Sequence, residues 1–160
     1  MHDTRNHPVR PIRRSLRLPA YDYRSTGAYF VTICTAERVP VFDTPEFHQP
    51  LLAIWQALPD RFPGVTLDAF VIMPNHIHGI VWLDGSVEHA PTLSQVIGTY
   101  KSFTTRAWLT YHQSIGTTCS YPLWQRNYYD HILRNEQDLA EKRQYILNNP
   151  MKQREREERP

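Results

Sequence analysis

Apolar and polar positions along the chain alternate between strand and helix periodicities. Residues 28–35 (Ala-Tyr-Phe-Val-Thr-Ile-Cys-Thr) are dense in β-branched and aromatic side chains, the composition of a strand. Thr44-Pro45-Glu46 then predicts a helix start with proline in its first turn. Phe47, Leu51, Ile54, Trp55 and Leu58 share one face of that helix, and Pro59 and Pro63 are expected to end it. Two apolar runs, 65–72 and 76–82, flank Met73-Pro74-Asn75, the pattern of a hairpin. Thr92 is placed to cap a second helix with the stripe Leu93, Val96, Ile97, Tyr100, Phe103, Ala107, Trp108 and Tyr111. A short strand is expected within 121–129. Asn135 caps a third helix, whose first turn carries Glu136 and Asp138 where acids suit the dipole, and Pro150 is expected to stop it.

The order is β-α-β-β-α-β followed by an extra helix. It predicts an α+β fold: a ferredoxin-like, antiparallel four-stranded sheet with two helices on one face and an additional C-terminal helix. The 160 residues suit one domain, and 41% hydrophobic with 21% charged residues is a globular composition. No apolar run approaches the ~18 residues of a membrane span. Cys34 and Cys119 are too few and too far apart for a disulfide framework or a zinc knuckle. A soluble, cytoplasmic protein is therefore expected.

The net charge of +2 is unevenly spread. Residues 1–24 hold six arginines against two aspartates, net +4; residues 151–160 are net +1, and the rest is net −3. The expected organisation is a basic N-terminal arm over 1–27, a folded domain over 28–150 and a charged tail over 151–160. Fifteen of the eighteen basic residues are arginine, whose planar fork suits phosphates and base edges. An arm of this kind either contacts nucleic acid or is simply solvated.

The strongest local signal is Asn75-His76-Ile77-His78-Gly79. Residues two apart on a strand share a face, so His76 and His78 present both imidazoles together while Ile77 points into the helix-backed core. Gly79 is expected to leave room beside the pair. Such a pair either binds a divalent metal or is a satisfied structural pair. On the last helix, Leu139, Ala140, Ile146 and Leu147 form the expected buried stripe, with Tyr145 roughly opposite and Asn149 one turn beyond it. Tyr145 is either a surface tyrosine or a nucleophile, and Asn149 either a helix stop or a third ligand. Together the two sites suggest a cation held by His76, His78 and Asn149 that makes a phosphate electrophilic enough for attack by the Tyr145 phenol. Tyr128 and Tyr129 are rival nucleophiles, with cross-strand packing as the alternative. Lys101, Arg106 and Arg126 could line a strand-binding groove or be solvated charges, and Tyr21, Tyr23 and Trp124 could stack on unpaired bases or fill the core.

Several stretches together resemble the REP-associated tyrosine transposases, a branch of the single-tyrosine HUH transposases. They are Arg13-Arg14-Ser15-Leu16-Arg17-Leu18 with Tyr21-Asp22-Tyr23, Gly27 through Cys34, Val71 through Gly79, Lys101-Ser102-Phe103-Thr104-Thr105, Leu123 through His131, and Arg134-Asn135 onward to Tyr145-Ile146-Leu147-Asn148-Asn149-Pro150-Met151-Lys152. The resemblance spans roughly residues 13–152. It implies a divalent-metal-dependent (Mg²⁺ or Mn²⁺) endonuclease and strand transferase acting on single-stranded, hairpin-forming DNA such as REP-like palindromes or element ends. It further implies His76 and His78 as the HUH ligands, Tyr145 as the nucleophile and Asn149 as the additional ligand, where many insertion-sequence relatives carry Gln. Arg13, Arg14, Arg17, Lys101, Arg106, Arg126 and Lys152 are the expected DNA contacts, with nucleoid association when bound. A monomer and a homodimer are both compatible with it. A DNA-binding protein that has kept the fold and lost turnover is the alternative.

Overall fold

A computed structural model describes residues 26–157, with side chains described through residue 150. Arg13, Arg14, Arg17, Tyr21, Tyr23 and the side chain of Lys152 lie outside the described residues. Four strands, β1 (Gly27–Cys34), β2 (Val65–Met73), β3 (His76–Leu83) and β4 (Tyr129–Leu133), form one sheet in the order β2-β3-β1-β4. Every neighbouring pair is antiparallel. This is the expected ferredoxin-like arrangement.

The alternation of side chains along β1 and β3 sorts two cores onto opposite faces. Tyr29, Val31, Ile33, Ile77 and Val81 pack against α1 (His48–Gln56) and α3 (Leu93–Ser114). Ala28, Phe30 and Ile80 face the other way, against Leu139 and Ile146 of α4 (Glu136–Glu157). Two short apolar-lined turns over Ala36–Arg38 and Val41–Asp43 carry the chain from β1 toward α1. Thr92 caps α3 through a capping box: its hydroxyl accepts from Gln95 N, and the Gln95 side chain accepts from Thr92 N.

Four local expectations are corrected. Thr44 opens a 3-10 turn over Pro45–Phe47 without a side-chain cap, and the helix proper starts at His48. Pro59 sits in the first turn of a further short helix, α2 (Leu58–Arg61), where a missing N–H costs nothing. The last strand begins only at Tyr129, because the apolar residues before it are plugs rather than a strand: Leu123, Trp124 and Tyr128 are buried in the α1/α3 core. The indole of Trp124 donates to Thr104 Oγ1 at 2.8 Å, which also removes it from base stacking. Finally, α4 runs through Pro150 to Glu157. Proline's fixed φ is helical, and the lost N–H leaves one carbonyl a turn earlier without its bond.

Gly79 also departs from expectation. Its open side lies on the α1 face, away from the histidines, and the Trp55 indole fills it: a Cβ there would come 2.5 Å from Cζ2.

Candidate active site

His76 opens β3 directly after the Pro74-Asn75 turn, and His78 follows on the same face. The register sets what each imidazole meets. Thr32 lies across from His78 and Cys34 across from His76 on β1. The Nδ1 of His76 donates to Asn75 Oδ1 at 2.7 Å, and Asn75 Nδ2 donates to the Arg38 carbonyl, which orients the amide. That fixes the lone pair of His76 on Nε2. The Nδ1 of His78 pairs with the Thr32 hydroxyl at 2.8 Å. The two Nε2 atoms converge to 3.1 Å. Two ligands in adjacent positions around an octahedral cation at about 2.1 Å stand about 3 Å apart. Outer nitrogens tied to fixed partners are likewise the arrangement in which histidines ligate.

The electrostatics agree with a pair kept neutral. Burial, then the positive charge associated with His76, Lys142 and Arg38, pushes His78 down to about 4. Burial and Arg38 lower His76 as well. Both imidazoles are thus neutral at neutral pH, with their Nε2 atoms within hydrogen-bond distance of each other. Among the described residues no third His, Cys, Asp or Glu joins them in a metal-sized cluster. Burial holds Cys34 above its usual range, as a thiol. Among the described residues, a further side-chain donor would therefore be a neutral one.

The expected neutral donor, Asn149, lies on helix α4. Its sheet-facing seam is not the expected stripe, since Ala140 and Leu147 are exposed and only Leu139 and Ile146 are buried. The seam continues through Lys142 and Asn149, with Tyr145 along its flank rather than opposite to it. The Tyr145 ring meets His78 edge-on at 5.3 Å between centroids and Phe30 at 5.9 Å, while Phe30 stacks on His78 at 5.2 Å. Lys142 Nζ stands 4.9 Å from the Phe30 ring centre and 5.8 Å from that of Tyr145. Asn149, one turn beyond Tyr145, has its Nδ2 buried with no hydrogen-bond partner. A half-turn of that amide would put an oxygen donor in the same place. Two neutral imidazoles and an unpartnered amide are the donor types that suit a divalent cation.

The other expected residues separate clearly. Tyr128 is buried toward α3, with its hydroxyl 3.4 Å from Ser94 Oγ. Tyr129 pairs across from Thr32, so it lies on the histidine face and is 52% exposed. Lys101 points into the loop before β4, donating to the carbonyls of Gln125 at 2.7 Å and Arg126 at 3.1 Å. Arg106 is exposed on α3, beyond the opposite face of the sheet, 5.5 Å from the Phe103 ring centre. Arg126 is exposed on the loop leading to β4. Sequence reasoning missed Arg38 and Lys142, the Lys and Arg side chains among the described residues whose charge acts on the histidines. Neither stands in a motif, and only the fold brings them there.

Comparison with known proteins gives this geometry a family. The model of the IS200-like transposases matches residues 24–149. An uncharacterised Haemophilus influenzae protein is 33% identical over 165 residues, covering 87% of this chain and 88% of that one. A second protein of that organism, assigned as a REP-associated tyrosine transposase, is 25% identical over 132 residues, covering 82% of this chain and 74% of its own length. In fold, the chain is similar to a REP-associated tyrosine transposase bound to a REP hairpin, with a TM-score of 0.64 at 24% identity over 83% of this chain and 72% of that one. Among the described residues no helix is long and apolar enough to cross a membrane. With the family model matched across most of its length, this chain belongs to the IS200-like transposases.

Proposed function

We propose that the chain is a single-stranded DNA endonuclease and strand transferase that acts on hairpin-forming DNA through a covalent 5′-phosphotyrosine at Tyr145. The observation that carries this reading is the seating of the Tyr145 ring against His78, whose Nε2 converges with that of His76. His76, His78 and Asn149 would hold a divalent cation, Mg²⁺ or Mn²⁺. When bound, it would draw electron density from a non-bridging phosphate oxygen.

The remaining work falls to the chain's own groups. Asn75 and Thr32 fix the two imidazoles by their Nδ1 atoms. Arg38 and Lys142, with no carboxylate among the described residues in ion-pair contact, supply positive charge where a phosphodiester would lie. The Tyr145 oxygen forms a bond to phosphorus as the bond to the 3′-oxygen breaks. The phenol proton passes to solvent and the departing 3′-oxygen gains one. One phosphodiester replaces another, so a second 3′-hydroxyl can reverse the step and join a new strand. The fold neighbour that holds a REP hairpin, and the relative assigned as a REP-associated transposase, support hairpin DNA as the substrate.

The test is incubation with labelled hairpin DNA carrying single-stranded flanks, in Mn²⁺, followed by denaturing electrophoresis. A protein–DNA adduct is expected from the wild type and from Tyr111→Phe, on the far side of the sheet, and none from Tyr145→Phe. An adduct that persists in Tyr145→Phe would overturn the assignment. Tight binding without any adduct would instead favour a DNA-binding protein that has lost turnover.

A further inference from the structure

Beside the histidine pair, across β1, lies a pocket of about 470 Å³ lined by Thr32, Cys34, Glu37, Gln125, Asn127 and Tyr129 among others. Thr32 belongs to both places: its hydroxyl holds His78 Nδ1, and the same side chain lines the pocket. Strands stand about 4.8 Å apart. Tyr129, two strands from His78, is therefore about 10 Å away along the same face, within reach of a neighbouring nucleotide of a bound strand.

The pocket is held open by the backbone. Gln125 N donates to the Cys34 carbonyl at 2.9 Å, Ala36 N donates to that of Leu123 at 2.9 Å, and Lys101 clamps the carbonyls of Gln125 and Arg126. The Thr35 hydroxyl reaches the carbonyls of Val39 at 2.8 Å and Asn75 at 3.0 Å, fixing the opposite wall. In that wall Glu37 and Arg38 adopt successive left-handed conformations, φ 53° and 58°. Neither is glycine, and such strain is retained where surrounding structure enforces it, most often at ligand sites.

What this framework presents is half-exposed aromatic surface and polar side chains that bond to nothing within the described residues. The Tyr129 ring offers a stacking face. Gln125 and Asn127 carry amides of the kind that read adenine, and the Glu37 carboxylate accepts from an exocyclic amine. Arg126 sits on the pocket lining, where a backbone phosphate would pass. We propose that this pocket binds an unpaired nucleobase of the strand next to the scissile phosphate, stacking it on Tyr129 and preferring a base with an exocyclic amine. The inference rests on the strand-transfer reading for the nature of the ligand. Lys101 is then a positioning residue of the pocket wall.

The test places 2-aminopurine, one position at a time, in the single-stranded flank of hairpin-forming oligonucleotides drawn from the DNA that flanks the protein's own gene. Fluorescence is read with Tyr145→Phe protein and no divalent ion, so that no chemistry is needed. Quenching is expected at one position only, lost in Tyr129→Ala and retained in Tyr129→Phe. Tyr129→Ala should also weaken binding roughly tenfold. Thymine at that position should bind less well than adenine or cytosine, and Glu37→Gln should narrow the difference. Quenching without an adduct in the wild-type assay leaves the pocket standing and removes the strand-transfer reading. An adduct in the wild type with no quenched position, and no effect of an abasic site there, overturns the pocket alone. Failure to bind the hairpin at all overturns both.

Discussion

Replacing Asp68 by asparagine should loosen the helix that carries Tyr145. Asp68 stands on β2, where the pairing with β3 slips between Leu67 and Phe70, and it receives Arg143 of α4 bidentately, Nε on Oδ1 at 2.9 Å and Nη2 on Oδ2 at 2.6 Å. The Trp82 indole and Ala69 N also donate to it. These donors, Arg143 foremost, draw its carboxyl from 3.8 down to about 2. That difference converts to about 2.4 kcal/mol. Arg143 is 46% exposed, so solvent screening reduces the contribution to about 1 kcal/mol. It still matters, because Leu139 and Ile146 are the only described apolar side chains that α4 buries.

The sign follows from the folded state binding the proton less readily than the unfolded one. The stabilisation is complete above about pH 4 and drains away as pH falls from 3.8 toward 2. Urea unfolding of wild type and Asp68→Asn should therefore differ by about 1 kcal/mol at pH 7 and converge near pH 2. Amide exchange in α4 should quicken about fivefold at neutral pH. In a double-mutant cycle, Arg143→Met should cost little once Asp68 is asparagine. A difference that stays constant down to pH 2, or a cycle with no coupling, would refute the claim that this pair seats α4.

Two further outcomes follow from single contacts. Gly79→Ala drives a methyl group into the Trp55 indole and should destabilise by about 1–3 kcal/mol, read as a drop of several degrees in Tm; an unchanged Tm would place Trp55 elsewhere. Lys142→Met removes the cation beside the Phe30 and Tyr145 rings and should slow adduct formation roughly tenfold, about 1.4 kcal/mol of barrier. Lys142→Arg should restore much of the rate at unchanged urea midpoint, and equal rates for Met and wild type would exclude the charge from the reaction.

The central framework was legible because its signals are local. Alternation and β-branched density marked β1 to β3, and Thr92 marked the start of α3, where Gln95 completes the capping box. The histidine pair was visible for the same reason, since a period of two puts both rings on one face. What arms the pair was not local. Thr32, Asn75, Arg38 and Lys142 come from four segments and meet only through the strand register and the packing of α4. The final strand was misplaced because burial and strand periodicity look alike over a short apolar run: Leu123, Trp124 and Tyr128 are apolar in order to plug the α3 side.

The misreading of α4 has a more instructive cause. Apolar residues normally identify the packed face of a helix, and Leu139, Ala140, Ile146 and Leu147 give an average direction that is off by about a quarter of a turn. Around the two true core contacts, the seam and its flank carry Lys142, Tyr145 and Asn149, all polar. A helix whose packed face has been given over to chemistry loses the periodic signal that would announce it. The same substitution explains why α4 needs the Asp68–Arg143 pair: with the seam occupied by a cation, a phenol and an amide, apolar burial alone holds too little of it. The weak amphipathic pattern, the surface ion pair and the polar side chains beside His78 are together what a helix seated to present Tyr145, as proposed, would show.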